Sequence, residues 1–202
     1  MLVLPDVGSP LGLRDRAILE MLYTTAMRRT ELANLKVHDL DLERRVAAVW
    51  CGKGKKDRVV PVGRRAANWV RAYLENARPA LVLDPRETTL FITRNGLPFI
   101  ANAMSDLVRK YVRQAGITKR GSCHLMRHTA ATLMLENGAS VRHIQELLGH
   151  DDLSSTQIYT HVTITELRKV HDRTHPATER PETSDQRWQS DEDDGELCGV
   201  PR

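Results

Sequence analysis

Residues 123–162, CHLMRHTAATLMLENGASVRHIQELLGHDDLSSTQIYTHV, constrain this chain more than any other stretch. Apolar residues recur there at helical spacing, and Asn137-Gly138 breaks the pattern with a pair suited to a left-handed helix stop. Two helices are therefore predicted, over 125–136 and 141–148. The polar groups that this frame can aim at a shared point are imidazoles, a guanidinium and a phenol: His124, Arg127, His150 and Tyr159. His124 and Arg127 are three apart and share a helix face. Such a set holds no carboxylate pair for glycoside chemistry. It suits an anion with a tetrahedral, doubly oxygenated centre, which is a phosphodiester.

The rest of the chain reads as mostly helical. In 10–25, Leu13, Ala17, Ile18, Met21 and Leu22 fall at helical spacing and predict an amphipathic helix facing a core. A short helix follows over 28–36. VAAVWC (46–51) and RVVPV (58–62) are β-rich runs around the basic turn GKGKKD, which predicts a hairpin. Residues 64–77 and 101–115 are again helical. Trp69 and Tyr73 follow the apolar face of the first and belong to the core, not to a stacking platform for bases. TLFIT (89–93) reads as a short strand between them. Helical spacing returns at 153–159 and at 163–170. The predicted fold class is mainly α with a small antiparallel β-sheet (α+β).

Several motifs together resemble the tyrosine recombinases of the phage-integrase family, of the integrase and Xer type. They are His124-x-x-Arg127, LLGHxxxxxTxxYTH around His150 and Tyr159, Ala26-Met27-Arg28-Arg29-Thr30-Glu31-Leu32, and the GKGKKDR turn with Lys53. Type IB topoisomerases use a related residue set, but the hairpin and the LLGH run match recombinases. The resemblance implies the catalytic-domain fold of that family and a set of roles. Arg28 and Arg127 would clamp the non-bridging oxygens, with a fork that Lys cannot supply. His124 would donate to a non-bridging oxygen or act as general base, and Lys53 would be the general acid for the leaving 5′-oxygen. Tyr159 would be the nucleophile, its phenol (pKa about 10) activated by the nearby cations. His150 would bind phosphate or buttress Tyr159, and Glu31 would orient Arg28 or a neighbour. Arg29, Lys55 and Lys56 are expected to position phosphates. No metal or cofactor is implied. The family pattern has Gly where this chain has Ala26, so Ala26 predicts a backbone that avoids positive φ.

The resemblance covers about residues 10–174. Residues 1–12 read as a linker-like segment, 13–174 as the catalytic domain and 175–202 as an acidic disordered tail; the N-terminal core-binding domain of the family is expected to be absent. Double-stranded DNA is the implied partner, bound as a homo-tetramer with exchange of the closing helix, 163–175.

Charge agrees with a polyanion partner. The net charge is +4, but residues 175–202 hold eight acids and three bases, leaving 27 basic against 18 acidic residues in 1–174. Three scattered cysteines without CxxC spacing fit reduced thiols in the cytoplasm, and no run is apolar enough for a membrane span or signal peptide. Two rival readings differ in class. His124 and His128 are four apart and could ligate zinc, but no Glu, Cys or carboxylate stands at ligand spacing. Alternatively the chain is a truncated DNA-binding fragment that cannot recombine alone, binding weakly and with strong salt dependence.

Overall fold

Ser9 accepts a hydrogen bond from the Gly12 amide, and Pro10 fills the first turn of the helix that follows. Both are strong N-terminal helix signals. The helix, α1 (Pro10–Thr25), ends where the periodicity places it. In the computed structural model, which describes residues 1–50, 57–118, 121–149 and 164–176, α1 differs from expectation in one respect. It is not a surface helix with one apolar face but the central helix, buried on every side, with Arg14, Asp15, Arg16 and Glu20 inside. Buried charges must be paired to be tolerated, and these are. Arg14 binds Asp15 and the Ile92 carbonyl, and Tyr111 donates to the other oxygen of Asp15. Arg16 and Arg65 share Glu20, and the Arg16 guanidinium lies 4.8 Å from the Trp69 ring. Arg16 also donates to the Leu2 carbonyl, laying the N-terminal segment along the body.

Helix α1 stops at Ala26, which adopts the left-handed conformation with φ 49° and ψ 27°. The expectation of a negative φ is thus wrong. The family's usual Gly fits the observed backbone, and this chain accepts Ala there with its methyl fully buried. Left-handed strain costs Ala about 1–2 kcal/mol, whereas Gly gives up about 0.5–1 kcal/mol in unfolded-state entropy. Ala26→Gly is therefore expected to stabilise the fold by about 0.5 kcal/mol, seen as a higher denaturant midpoint at unchanged slope. A lower midpoint would mean that the buried methyl contributes more than the strain.

After α2 (Arg29–Asn34) and a 3₁₀ turn at Val37–Asp39 comes a three-stranded antiparallel sheet in the order β1 (Leu40–Asp41), β2 (Val46–Val49), β3 (Arg58–Pro61). The predicted hairpin is present, with Val49 opposite Arg58 and Ala47 opposite Val60. β1 is not foreseen, because two residues carry no periodic signal. Pro61 is tolerated because β3 is an edge strand. Inward residues Ala47, Val49 and Val60 join the core.

Helices α3 (Arg64–Asn76), α4 (Arg78–Leu81) and α5 (Ala101–Gln114) follow. Tyr73 is a core residue, as predicted, and donates to the Leu90 carbonyl. The predicted strand at 89–93 is a correction. Leu90, Phe91 and Ile92 are fully buried, but the segment makes only isolated bridges, Lys36 with Thr89 and Ile92 with Pro98. Its backbone is satisfied one group at a time, by the Leu35 carbonyl, the Tyr73 hydroxyl and the Phe99 amide. An apolar run of this kind threads a core without being a strand.

Helices α6 (Cys123–Glu136) and α7 (Val141–Leu148) are separated by Asn137 and by Gly138 at φ 87°, the predicted stop. The last helix among the described residues, α8 (Ile164–Thr174), docks on this chain's own body. Leu167, His171, Thr174 and His175 are buried, so the folded body extends to the end of the predicted closing helix at His175. No helix among the described residues is long and apolar enough to cross a membrane.

Candidate active site

The site is built where three helix ends meet: the C-terminus of α1, the N-terminus of α2 and the C-terminus of α7. Arg28 precedes α2 as its cap, and Glu31 reaches back to accept from the Arg28 amide at 2.8 Å. The same carboxylate accepts from the Arg28 guanidinium at 2.9 Å. Arg127 sits one turn into α6 with 8% exposure. It donates to the Ala26 carbonyl at the end of α1 and, at 2.7 Å, to the Leu148 carbonyl at the end of α7. Arg28 donates to the adjoining Gly149 carbonyl at 3.0 Å. The two guanidiniums predicted to form a clamp, separated by 99 positions in sequence numbering, are thus held on neighbouring carbonyls of one helix end.

The last carbonyls of a helix carry partial negative charge and lack intrahelical partners, so cations gather there. Gly149 ends α7 at φ 61°, which turns the chain so that these carbonyls point at the arginines. A guanidinium has five N–H donors. Among the described residues Arg28 and Arg127 each spend Nη1 and Nη2 on one acceptor apiece, leaving donors for an oxyanion.

A third guanidinium stands in the same cluster, and sequence reasoning missed it. Arg58, the first residue of β3, donates to both Glu31 oxygens, at 3.0 and 2.8 Å. Burial alone would raise the pKa of Glu31. The hydrogen bonds from Arg58 and from the Arg28 amide, the Arg58 charge and the Arg28 guanidinium outweigh it and hold the carboxyl at about 2. Burial, followed by repulsion from Arg28, brings the Arg127 pKa down to about 10, with Glu31 opposing and Arg58 adding to the shift. Arg127 stays charged at neutral pH. A signal for Arg58 existed: strand alternation puts it on the face of buried Val60, where a charge needs a partner.

His124 lies on the first turn of α6 and is exposed, three residues before Arg127. Arg29 is half-buried and donates to Ser105 of α5 at 3.0 Å, so the structure gives it a partner within the body. Lys53, Lys55, Lys56, His150 and Tyr159 lie outside the described residues. Among the described residues no group of three or more His, Cys, Asp or Glu could hold a metal ion.

Fold and site together define a class. Residues 2–166 match the model of the phage integrase family, and the chain belongs to that family. It is 54% identical over 172 residues to tyrosine recombinase XerC 2 of Ralstonia nicotianae, covering 85% of this chain and 49% of that protein. It is 42% identical to tyrosine recombinase XerD of Lacticaseibacillus casei, covering 85% of this chain and 58% of that protein. Among solved structures, the XerA recombinase superposes with a TM-score of 0.65 at 35% identity, over 81% of this chain and 59% of the other. The integrase of mycobacterium phage Brujita superposes with a TM-score of 0.63 at 28% identity, over 85% of this chain and 55% of the other. The chain spans about half the length of the curated relatives it matches.

Proposed function

We propose that this chain carries the DNA cleavage and rejoining chemistry of a site-specific recombinase acting on double-stranded DNA. The observation that carries the reading is the convergence of Arg28 and Arg127 on the adjoining carbonyls of Leu148 and Gly149, with donors to spare for a phosphate. Phosphoryl transfer asks chiefly for such positioning and charge stabilisation. Two preset guanidiniums supply it where charge develops on the non-bridging oxygens.

In the proposed reaction the Tyr159 oxygen attacks phosphorus and forms a 3′-phosphotyrosyl bond. The bond to the 5′-oxygen breaks, and that oxygen leaves with a proton from Lys53. The tyrosine proton passes to a base, for which His124 is the candidate. The 5′-hydroxyl of another strand reverses the step, and because the phosphodiester's energy is conserved no ATP is needed. His150 assists at phosphate or supports Tyr159, and Lys55 and Lys56 contact the backbone. Membership of the phage integrase family over residues 2–166 supports the reading as a whole.

Assembly as a tetramer with exchange of the closing helix belongs to the same proposal. Exchange would transfer the contacts that α8 makes with its own body to a neighbouring protomer.

The test is covalent trapping. A pool of nicked suicide duplexes drawn from sequence flanking the gene is incubated with the protein in the presence of EDTA, and the adduct is digested and mapped. A nucleotide on the peptide containing Tyr159 is the expected result. Low-salt DNA binding without an adduct on any duplex would instead favour the DNA-binding fragment reading.

A further inference from the structure

Arg58 has no part in the chemistry just described, yet it touches Glu31, which holds Arg28, and the end of α7 on which both arginines rest. It begins β3, opposite Val49 at the end of β2. Its two terminal nitrogens take both oxygens of Glu31, and its Nε lies 3.4 Å from the Leu147 carbonyl of α7. Its side chain is 12% exposed. Gly149 lies against it: a Cβ at Gly149 would come within 3.0 Å of Arg58 Cζ and Nε, so a side chain there would press on the guanidinium as well as sit at a strained positive φ. Glu31 in turn holds both the amide and the guanidinium of Arg28. The α7 end that Arg58 touches is the one on which Arg28 and Arg127 rest.

We infer that Arg58 is a positioning residue for the cleavage reaction, acting through Glu31 and the carbonyl end of α7 to fix Arg28 and Arg127 relative to one another. The inference rests on the proposed function for its kinetic consequence, but the geometry it asserts can be tested without DNA. A planar fork suits the role, because it satisfies two carboxylate oxygens while its edge lies along the helix end. A lysine has the charge without the fork. Among the described residues, Arg28 and Arg58 face Glu31, and Arg127 is close enough for its charge to be affected.

The experiment compares the wild-type chain with Arg58→Gln and Arg58→Lys, after circular dichroism has shown which of them fold. Three quantities are measured: single-turnover cleavage of the pooled suicide duplexes, low-salt binding of the same duplexes, and the NMR signals of the Arg28 and Arg127 side-chain Nε–H groups and the Glu31 carboxyl. Arg58→Gln is expected to bind DNA within a few-fold of wild type and to cleave about 10²-fold more slowly, the scale expected of a small misplacement of catalytic groups. Arg58→Lys is expected to lose about tenfold, since charge alone does not restore bidentate geometry. In both variants the two arginine signals move, and in Arg58→Gln the Glu31 carboxyl titrates above its wild-type value.

Cleavage within about twofold of wild type by folded Arg58→Gln, or by Arg58→Lys if the Gln variant does not fold, would overturn the inference. Unmoved Arg28 and Arg127 signals in the folded variant would do so as well. If no protein, wild type included, forms an adduct while the arginine signals move, the recombinase reading fails and the positioning role stands.

Discussion

Arg127→Lys is expected to slow DNA cleavage by about 10²–10³-fold, while low-salt binding stays within a few-fold of wild type. The substitution keeps the charge, so attraction to the phosphate backbone persists. What it removes is reach. Arg127 spans two helix ends, donating to the Ala26 carbonyl with one terminal nitrogen and to the Leu148 carbonyl with the other. In the proposed reaction it must also present donors to the phosphate. An ammonium offers three donors from one point and cannot occupy both carbonyls and a non-bridging oxygen together. One buried carbonyl left unpaired costs about 1–3 kcal/mol, so the variant should also unfold at lower denaturant. The two effects separate in a single-turnover assay run well below the variant's unfolding temperature. An Arg127→Lys protein that cleaves at the wild-type rate would show that charge alone serves at this position, and would remove the clamp from the mechanism.

The difference between Arg127 and Arg58 also shows what the sequence could reveal. Arg127 is legible because His124-x-x-Arg127 lies on a strongly periodic helix, and α6 forms over almost the predicted range. Arg28 is legible through Glu31 three residues on, the spacing at which the carboxylate returns to the cap amide. Arg58 is encoded in pairing. Its partner, Glu31, is 27 residues away, and only the closure of β3 against α2 brings them together. Other misses have the same cause. Helix α1 reads as amphipathic because Arg14, Asp15, Arg16 and Glu20 look like a solvent face, but their partners arrive from Tyr111, Ile92 and Arg65. The run at 89–93 has strand composition, and what decides against a strand is the lack of a continuous neighbour. Ala26 is the reverse case. Its family register is right, and the backbone follows the family's glycine in spite of the residue present.

Acid should loosen α8 before it unfolds the body, and the histidines at its end supply the reason. The carbonyls that close α1 are capped from α8: His175 Nε2 donates to the Tyr23 carbonyl at 2.9 Å and His171 Nε2 to the Thr24 carbonyl at 2.7 Å. A carbonyl only accepts, so both Nε2 atoms carry hydrogen. The two rings stack at 4.6 Å, and Tyr23 meets His175 edge-on at 4.9 Å. Burial first, and then the neighbouring His171, push the His175 pKa from 6.5 down to about 3, with Arg65 adding to the shift and the Tyr23 carbonyl opposing it. A depressed folded-state pKa means that the unfolded chain binds the proton more readily. Stability from this group is therefore complete above about pH 6.5 and is lost as pH falls toward 3, at up to about 1.4 kcal/mol per pH unit. Asp172 joins later. Burial alone would raise its pKa, but the adjoining His171 and the hydrogen bonds and charge of Arg45 outweigh this and hold it at about 2, so its contribution is complete above its ordinary 3.8 and fades below that. Glu31, also held at about 2, loses its contribution below about 4.5. Between pH 6.5 and 4.5 His175 thus acts ahead of both carboxylates, and a decrease of about 2–3 kcal/mol in the stability of α8 docking is expected over that span. Amide hydrogen exchange, corrected for the intrinsic pH dependence of the chemistry, should show α8 losing protection there while α1 keeps it. His175→Gln, whose amide nitrogen reaches about as far as Nε2 and cannot titrate, should flatten the dependence. Parallel pH profiles for the wild type and His175→Gln would mean that the buried imidazole does not govern how α8 is held.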